Sequence, residues 1–408
     1  MNAEAHIAEW LVRSGTLAGI PGRVDALPAA DAPLRMEQAW PYRHGGFLAR
    51  LRGASGSWWG VADFGDGGPP SEVLSASARG EVSRLSSPGA FAWRLACDPA
   101  LAAGRALAAG AGARVGGFTV APGTQPGDET VETLSYKPLC RCVIRYRRGG
   151  SAPVLTKLYA QGRDDATARV HEGLHRFGGA HDSIAQAPPP ASRIHDWRAL
   201  LWPELPGSTL LDAPQDRSPE TLVALAGTAL ASLHRSGVAW SRIHRMADEL
   251  TGLERWVRLA GWARPEMHDP MLRALDRLQR RAVRFRDGRL VASHRDFHDK
   301  QMLIDARRIS IIDLDTACLA EPELDLGNFL AHLRLRELQG RIDGWQPATR
   351  AFLDAYLRTN ADVERGRLGF YRICATLRLA CVYALRPQWA WLLPQLVGDA
   401  CRDHEIHC

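Results

Sequence analysis

Five aspartates lie within one short stretch, residues 293–316, which reads SHRDFHDKQMLIDARRISIIDLDT. They are Asp296, Asp299, Asp305, Asp313 and Asp315. Two apolar runs between them, 302–304 and 309–312, are typical of buried strands and predict a small hairpin. A buried carboxylate is costly unless it is hydrogen-bonded, paired with a cation or bound to a metal. The stretch therefore predicts either turn chemistry or a cation site.

Spacing sorts these acids into two groups. His294-Arg295-Asp296, followed five residues later by Gln301, matches the catalytic-loop pattern HRDxxxxN of kinases, with Gln in the Asn position. Asp313 ends the second apolar run, where that pattern has a metal-binding aspartate. A phosphoryl-transfer site needs one carboxylate that orients and deprotonates the acceptor hydroxyl and another that holds magnesium. The alternative is that both acids cap turns. Of the remaining three, we expect Asp305 in the hairpin turn and Asp299 on the surface.

Lysine is rare in this chain, with only Lys137, Lys157 and Lys300 among 51 basic residues. Lys157 lies in the strand-like run VLTKLY, and Glu172 follows 15 residues later in a predicted helix over 164–177. A kinase places a strand lysine on the ATP phosphates and holds it with a helix glutamate. The alternative for Lys157 is an ordinary charge on an edge strand.

The next strand ends in the segment Trp202-Pro203-Glu204-Leu205-Pro206-Gly207. A segment that connects two lobes can offer backbone N–H and C=O groups to adenine, here from Glu204 and Leu205. An ordinary strand exit explains the same residues equally well.

Asp325 begins a predicted helix, and we expect it to brace the catalytic loop rather than touch substrate. His234, His298 and His332 do not share the sequence spacing of metal ligands, so the sequence predicts no zinc site.

Two lobes must position these residues. From 131 to 205 the sequence is typical of strands, and after 207 it is mostly helical, with runs such as 221–237 and 269–285. A cleft between a β-rich and an α-rich lobe is a preferred ligand site. Before the first lobe, residues 47–64 predict a hairpin that turns at Gly53, Ser55 and Gly56, and PGTQPGDE (122–129) predicts a linker.

Composition excludes several other classes of protein. With 408 residues, 46% hydrophobic and 24% charged, the chain is in the globular range, and no apolar window reaches the length of a membrane span. Eight scattered cysteines favour reduced thiols and a cytoplasmic protein. The net charge of +6 is spread without a run of five basic residues, so we expect no nucleic-acid partner.

The runs SYKPLCRCVIRY, VLTKLY, ELPGSTL, ALASLH, HRDFHDKQ and IIDLDTACLAEPELDLGNFLAHL together resemble the aminoglycoside phosphotransferase family of small-molecule kinases. The resemblance covers roughly residues 130–335. It implies a protein-kinase-like fold, ATP and Mg²⁺ as cofactors, and a hydroxylated small molecule as acceptor. It also implies Asp296 as catalytic base, Gln301 and Asp313 as magnesium ligands, and Lys157 with Glu172 on the phosphates.

We therefore predict an α+β, protein-kinase-like two-lobed fold. Residues 1–125 form an N-terminal extension, 126–206 the ATP-binding β-rich lobe, and 207–408 the helical lobe with the catalytic loop and acceptor site. The predicted function is ATP- and magnesium-dependent transfer of the γ-phosphate to a small acceptor. Because Gln301 replaces the usual Asn, a catalytically silent nucleotide-binding pseudokinase is the alternative. Arg242 and Arg245, in the region that should bind the acceptor, favour an anionic one.

Overall fold

The computed structural model describes most of the chain from residue 35 to residue 402. The described ranges are 35–53, 56–84, 90–101, 113–115, 118–120, 129–148, 152–160, 162–181, 185–188, 190, 192–212, 218–238, 240–305, 308–360 and 362–402. Ser55 and the predicted domain boundary at 125 lie outside these ranges. In the described part of the chain, no helix has both the length and the apolar character that crossing a bilayer requires.

The first sheet has five strands in the order β1-β2-β3-β5-β4. They are β1 (Arg35–Pro41), β2 (Phe47–Arg52), β3 (Trp58–Asp63), β4 (Ser83–Arg84) and β5 (Ala90–Arg94), and helix α1 (Ser71–Ala78) lies between β3 and β4. The predicted hairpin is confirmed as the antiparallel pair β2–β3. Gly56, in its turn, has a φ of 83°, a backbone conformation that side chains with a Cβ rarely adopt.

The second sheet also has five strands and carries Lys157 on its central strand. Its order is β12-β13-β10-β9-β8. The strands are β8 (Glu129–Lys137), β9 (Arg141–Arg148), β10 (Val154–Tyr159), β12 (Ser192–Ile194) and β13 (Ala199–Pro203). Lys157 pairs with Val143 on one side and Leu200 on the other, so the edge-strand alternative for this lysine is wrong. Helix α2 (Asp164–His181) follows β10, close to the predicted range.

Short strands flank the HRD motif of residues 294–301. A four-stranded sheet has the order β11-β17-β16-β14, and β15 pairs with β18. The strands are β11 (Ala185–Gln186), β14 (Ser208–Thr209), β15 (Val291–Ser293), β16 (Met302–Asp305), β17 (Arg308–Ile311) and β18 (Cys318–Ala320); β6 (Ala113–Val115) and β7 (Phe118–Val120) form a separate pair. The antiparallel pair β16–β17 confirms the predicted hairpin of the motif.

The C-terminal half is helical, as predicted. Its α-helices are α3 (Pro219–Arg235), α4 (Met246–Ala263), α5 (Pro265–Ala282), α6 (Pro322–Leu338), α7 (Trp345–Leu357), α8 (Arg365–Ala384) and α9 (Leu393–Cys401). Helix α6 is buried on nearly all sides, including the acidic residues of its first turn. Because a helix buried all round has little freedom to shift, α6 is a firm support for the loop that contacts it.

The first sheet packs against the helical half as well as the second sheet. Its buried residues Met36, Ala39 and Phe47 share a hydrophobic cluster with Leu259 of α4 and Leu385, which follows α8. This packing places strand β1 beside α4 and the end of α8.

On its other side, the first sheet joins the second through a buried polar group. The carboxylate of Asp98 accepts hydrogen bonds from Tyr136 Oη (2.6 Å), Trp93 Nε1 (3.2 Å) and Leu139 N (2.9 Å). Since every donor comes from a different element, this network fixes the first sheet against β8 and the turn that follows it.

Candidate active site

Asp325 holds the catalytic loop in place. Its fully buried carboxylate accepts hydrogen bonds from the backbone N–H of His294 (2.7 Å) and of Arg295 (2.6 Å). His234 Nε2 lies 3.2 Å from the same carboxylate. The expectation that Asp325 braces the loop is confirmed, because its bonds are to the loop backbone and a buried histidine.

Backbone strain marks both ends of the motif. Arg295 has a φ of 71° and Asp313 a φ of 58°, in the left-handed region that non-glycine residues seldom occupy. Such conformations persist where surrounding contacts impose them, and they concentrate at functional sites. Here Arg295 directly precedes Asp296, and Asp313 is itself the second acid that the motif identifies.

Asp296 is the accessible acid of the loop. Its side chain is 36% exposed, and its Oδ1 lies 3.6 Å from Arg378 Nη1. Its backbone N–H points to His294 Nδ1 at 3.3 Å, while His294 Nε2 lies 2.8 Å from the backbone oxygen of Ile312. His294 therefore ties the catalytic loop to the strand that leads to Asp313.

Asp313 and Asp315 converge on two cations. Lys157 Nζ lies 2.6 Å from Asp313 and 2.7 Å from Asp315. Arg141 binds Asp313 through two nitrogens, at 2.9 and 3.2 Å, and also contacts Asp315. Tyr159 Oη donates a 3.0 Å hydrogen bond to Asp315. One ammonium nitrogen thus lies against both carboxylates, which shows that their oxygens face a common cation position.

The charges in this cluster keep the carboxylates ionised. Burial alone would raise the pKa of Asp313, but the charges of Lys157 and Arg141 hold it well below its usual range. Burial likewise opposes ionisation of Asp315, and Lys157 lowers the pKa of that carboxyl too. Paired, ionised carboxylates supply the oxygen ligands that Mg²⁺ prefers.

Comparisons with known proteins agree on one family. The model of the phosphotransferase enzyme family, APH, matches residues 146–368, which is more than half of the chain. The chain belongs to this family. The predicted resemblance to aminoglycoside phosphotransferases is thereby confirmed. A search of curated protein sequences finds no significant match.

Searches of solved structures find similar small-molecule phosphotransferases. The chain is similar to a spectinomycin phosphotransferase solved with ADP and spectinomycin, with a TM-score of 0.50 and 15% identity over 68% of this chain and 93% of that one. It is also similar to a choline/ethanolamine kinase family protein from Mesorhizobium loti, with a TM-score of 0.45 and 16% identity over 69% of this chain and 88% of that one. The predicted protein-kinase-like fold is confirmed.

Within this phosphotransferase fold, the structure does not bring Glu172 to Lys157. Glu172 is exposed on α2, whereas Lys157 pairs with Asp313 and Asp315. The face of α2 that turns inward carries buried His171, whose Nδ1 lies 2.7 Å from the backbone oxygen of Pro188. Burial lowers the pKa of His171 to about 4, so this histidine is neutral at pH 7.

We expect Lys157→Ala and Glu172→Gln to differ sharply. If Lys157 binds the nucleotide phosphates, its loss removes charged hydrogen bonds worth about 1.5–3 kcal/mol, or roughly 10–150-fold in ATP affinity. Glu172→Gln should change that affinity by less than about twofold, because the glutamate contacts solvent. Titration calorimetry with an ATP analogue measures both. Equal losses in the two variants would mean that Glu172 reaches Lys157 once nucleotide is bound.

The segment predicted to bind adenine is partly engaged in the sheet. Glu204 N–H donates to the backbone oxygen of Pro153 at 2.8 Å, and the Glu204 carboxylate pairs with Arg145 at 2.7 Å. Leu205, the next residue, makes no backbone hydrogen bond with another described residue. Of the two predicted residues, Leu205 therefore has the available N–H group.

Gln301 lies at the same end of the hairpin as Asp313, but its side chain turns elsewhere. Its backbone oxygen accepts a 3.0 Å hydrogen bond from Ile312 N, next to Asp313. Its buried amide nitrogen lies 3.2 Å from His298 Nε2. The structure thus places Gln301 near the acids without a side-chain contact to Asp313.

Sequence spacing failed to predict a group of potential ligands beside Asp296. The rings of His298 and His332 stack in parallel with centroids 4.3 Å apart. With Asp296 they offer three ligand atoms that all lie within 4.8 Å of one another. The two histidines are 34 residues apart but meet because helix α6 packs on the catalytic loop. Histidines that lack the sequence spacing of metal ligands can therefore still lie close together in the fold.

The expectation that Asp299 is exposed is wrong. Asp299 is 4% exposed and accepts a bidentate ion pair from Arg336 of α6, with N···O distances of 2.9–3.0 Å. Burial alone would raise the pKa of Asp299, but a hydrogen bond from His298 and the charge of Arg336 lower it to about 2. A carboxylate within the 294–301 loop thus anchors the loop to α6.

Asp299→Ala should lower the free energy of unfolding by about 3–5 kcal/mol, because it leaves a buried arginine without its partner. Asp305→Ala, which removes an exposed carboxylate from the hairpin that follows Asp299, should change the free energy of unfolding by less than about 0.5 kcal/mol. Since the folded pKa of Asp299 is depressed, its stabilisation is present above about pH 4 and is lost as pH falls towards 2. Urea unfolding at several pH values measures both effects; equal stability of the two variants would contradict the anchoring role.

The sequence analysis did not identify three further residues of the cluster around Asp313, namely Arg141, Tyr159 and Asp315. Arg141 is separated from Asp313 by 172 residues, and arginines are too frequent in this chain to stand out. One signal in the sequence could have pointed to Asp315. Asp313 and Asp315 lie two residues apart at the end of the same hairpin, where a single acid would suffice for a turn.

Proposed function

We propose that this phosphotransferase moves the γ-phosphate of ATP, in the presence of Mg²⁺, to a hydroxyl group of a small-molecule acceptor. The observation that carries the proposal is the pair Asp313 and Asp315, which converges on Lys157 and Arg141 next to a braced loop that presents Asp296. Anionic ligands for a metal, cations for phosphates and an accessible carboxylate are the parts that phosphoryl transfer needs.

Asp313 would hold the magnesium, with Asp315 and Gln301 as further oxygen donors. The fit is supported by Lys157 Nζ, which lies within 2.7 Å of both carboxylates and occupies the position of a cation between them. When bound, magnesium neutralises charge on the phosphates. Binding at this position requires Lys157 and Arg141 to exchange part of their contacts with the acids for contacts with phosphate oxygens. Both side chains are long enough to remain nearby.

Asp296 would act on the acceptor. Its partly exposed carboxylate orients the acceptor hydroxyl and takes its proton as the oxygen attacks the γ-phosphorus, while the bond to the bridging oxygen of ADP breaks. Arg378, whose Nη1 lies 3.6 Å from the Asp296 carboxylate, would keep that carboxylate in position. The backbone of Leu205 would contact the adenine.

The acceptor should be small. Helix α6 begins at Pro322, nine residues after Asp313, and those residues form a short turn and strand β18. A protein kinase needs an activation segment here to bind a polypeptide.

Two measurements test the function. Titration calorimetry with Mg²⁺ and a nonhydrolysable ATP analogue measures nucleotide binding, and an ADP-release assay over a panel of hydroxylated metabolites measures turnover. We expect binding and turnover in the wild-type protein, and binding alone in Asp296→Asn. Nucleotide binding without turnover on any acceptor would instead support a silent nucleotide-binding protein, and absence of nucleotide binding would contradict both.

A further inference from the structure

Two cations, Lys137 and Arg386, have no acidic partner among the described residues. Lys137 ends strand β8, and Arg386 follows the end of α8. The described contacts of Lys137 Nζ are with the Trp40 ring, at 5.4 Å, while Arg386 donates to the Gln38 amide oxygen at 3.1 Å and lies 5.3 Å from the Tyr383 ring. Among the described residues neither cation forms an ion pair with a carboxylate.

Strand β1 contacts both of these cations. Gln38 and Trp40 are two residues apart, so their side chains project from the same face of the strand. One contacts Arg386 of the helical half, and the other contacts Lys137 of the second sheet. The first sheet, all of which precedes the region matched by the family model, therefore brings the two cations to one face of β1.

Electrostatics shows that these charges are unmatched. Burial lowers the pKa of both Lys137 and Arg386. Cys140 raises the pKa of Lys137 and Tyr383 that of Arg386, and the negative charge of Asp296 adds a smaller effect on each, but the lowering by burial prevails. Asp296 is itself balanced by Arg378, at 3.6 Å. Partly buried cations without a counter-ion are costly, and an anionic ligand relieves that cost.

Neighbouring cations already have partners of their own. Lys157 and Arg141 pair with Asp313 and Asp315, where the nucleotide phosphates are expected. Arg336 pairs with Asp299. The unmatched charge therefore lies on the acceptor side of the cleft.

The two arginines that the sequence favoured for this role are placed elsewhere. Arg245 is half-exposed and pairs with Asp287 at 3.1 Å. Arg242 is exposed and lines a cavity of about 320 Å³ that borders Asp315 and helix α2.

We propose that the acceptor is an anionic hydroxylated small molecule, such as a sugar acid or another hydroxy acid, whose negative group is bound by Lys137 and Arg386 while its hydroxyl meets Asp296. This inference rests on the proposed function and narrows its substrate class. The Trp40 ring gives the same molecule an apolar surface to lie against. A polycationic acceptor would meet two uncompensated positive charges.

Matched acceptor pairs test the charge preference. D-gluconate against D-glucose, D-glycerate against glycerol, and choline as a cation are compared in the ADP-release assay and by calorimetry with Mg²⁺ and an ATP analogue present. We expect at least one anion to exceed its neutral partner about tenfold or more in kcat/KM or in affinity. The inference would be overturned if choline or the neutral molecules matched the anions in kcat/KM and affinity. It would also be overturned if none of the anions bound.

Variants locate the preference in the structure. Arg386→Gln and Lys137→Gln should raise the KM or Kd for the anion about tenfold or more and leave the KM of ATP unchanged. Arg280→Gln, which removes an exposed arginine on α5 that pairs with Asp276, is the matched control and should have no effect. Losses that are equal for anionic and neutral molecules would also overturn the inference. Failure of the wild-type protein to bind the ATP analogue would contradict the proposed function instead, so the two failures are distinguishable.

Discussion

Asp296→Asn is expected to lower turnover by about 10²–10⁴-fold, the usual contribution of general-base catalysis, while ATP affinity stays within about twofold of wild type. The substitution keeps the shape of the side chain but removes its charge and its basicity. ATP affinity should survive because the proposed nucleotide ligands, Lys157, Arg141 and the Asp313 metal site, do not include Asp296. The loop itself should survive as well, since Asp325 holds its backbone.

The measurement is the initial rate of ADP release beside calorimetric nucleotide affinity for the same purified variant. Asp305→Asn is the matched control, because Asp305 is an exposed carboxylate in the turn of the adjoining hairpin. A rate for Asp296→Asn equal to that of wild type would remove the general base from the mechanism. The Arg378 ion pair would then be the remaining reason for a carboxylate at this position.

The sequence predicted best what local patterns encode. The β16–β17 hairpin, the strand around Lys157 and the bracing role of Asp325 follow from apolar runs, spacing and the preference of acids for helix N-termini, and the structure has all three. These features depend on contacts along a few residues or on a motif with a fixed geometry, so a single sequence suffices to find them.

Helix phase explains why the Glu172 pairing does not appear. The distance of 15 residues from Lys157 fits a kinase helix, but each residue of an α-helix turns the side chain by about 100°. In α2 the inward face carries Thr167 and His171, and both are buried. Glu172, one residue further, is therefore rotated towards solvent.

Contacts between distant segments were beyond the sequence. Arg336 reaches Asp299 across 37 residues, and Arg141 reaches Asp313 across 172. Nothing local distinguishes an arginine that will be buried against an acid from one on the surface, particularly in a chain where 48 of 51 basic residues are arginine. The same holds for Gln38 and Trp40, whose position in the cleft follows from the packing of a whole sheet.

Asp313→Asn should abolish measurable turnover at any practical magnesium concentration. A metal ion at a phosphoryl-transfer site contributes several kcal/mol to transition-state stabilisation, or about 10³-fold or more in rate. Asparagine keeps one oxygen ligand but loses the charge that attracts the cation. In the nucleotide-free protein it also leaves Lys157 and Arg141 with Asp315 as their described acidic partner. Folding should therefore be checked by thermal unfolding before rates are compared.

Gln301 provides the internal comparison for that experiment. If its amide oxygen binds the metal, it must rotate away from His298, which its amide nitrogen now faces at 3.2 Å. Gln301→Asn shortens the side chain to the commoner ligand of this motif and should retain activity, whereas Gln301→Ala should raise the magnesium concentration needed for half-maximal rate about tenfold. Magnesium titrations of the rate separate these outcomes. An inactive Gln301→Asn beside an unimpaired Gln301→Ala would show that position 301 is not a ligand, and Asp313 and Asp315 would then hold the metal as a carboxylate pair.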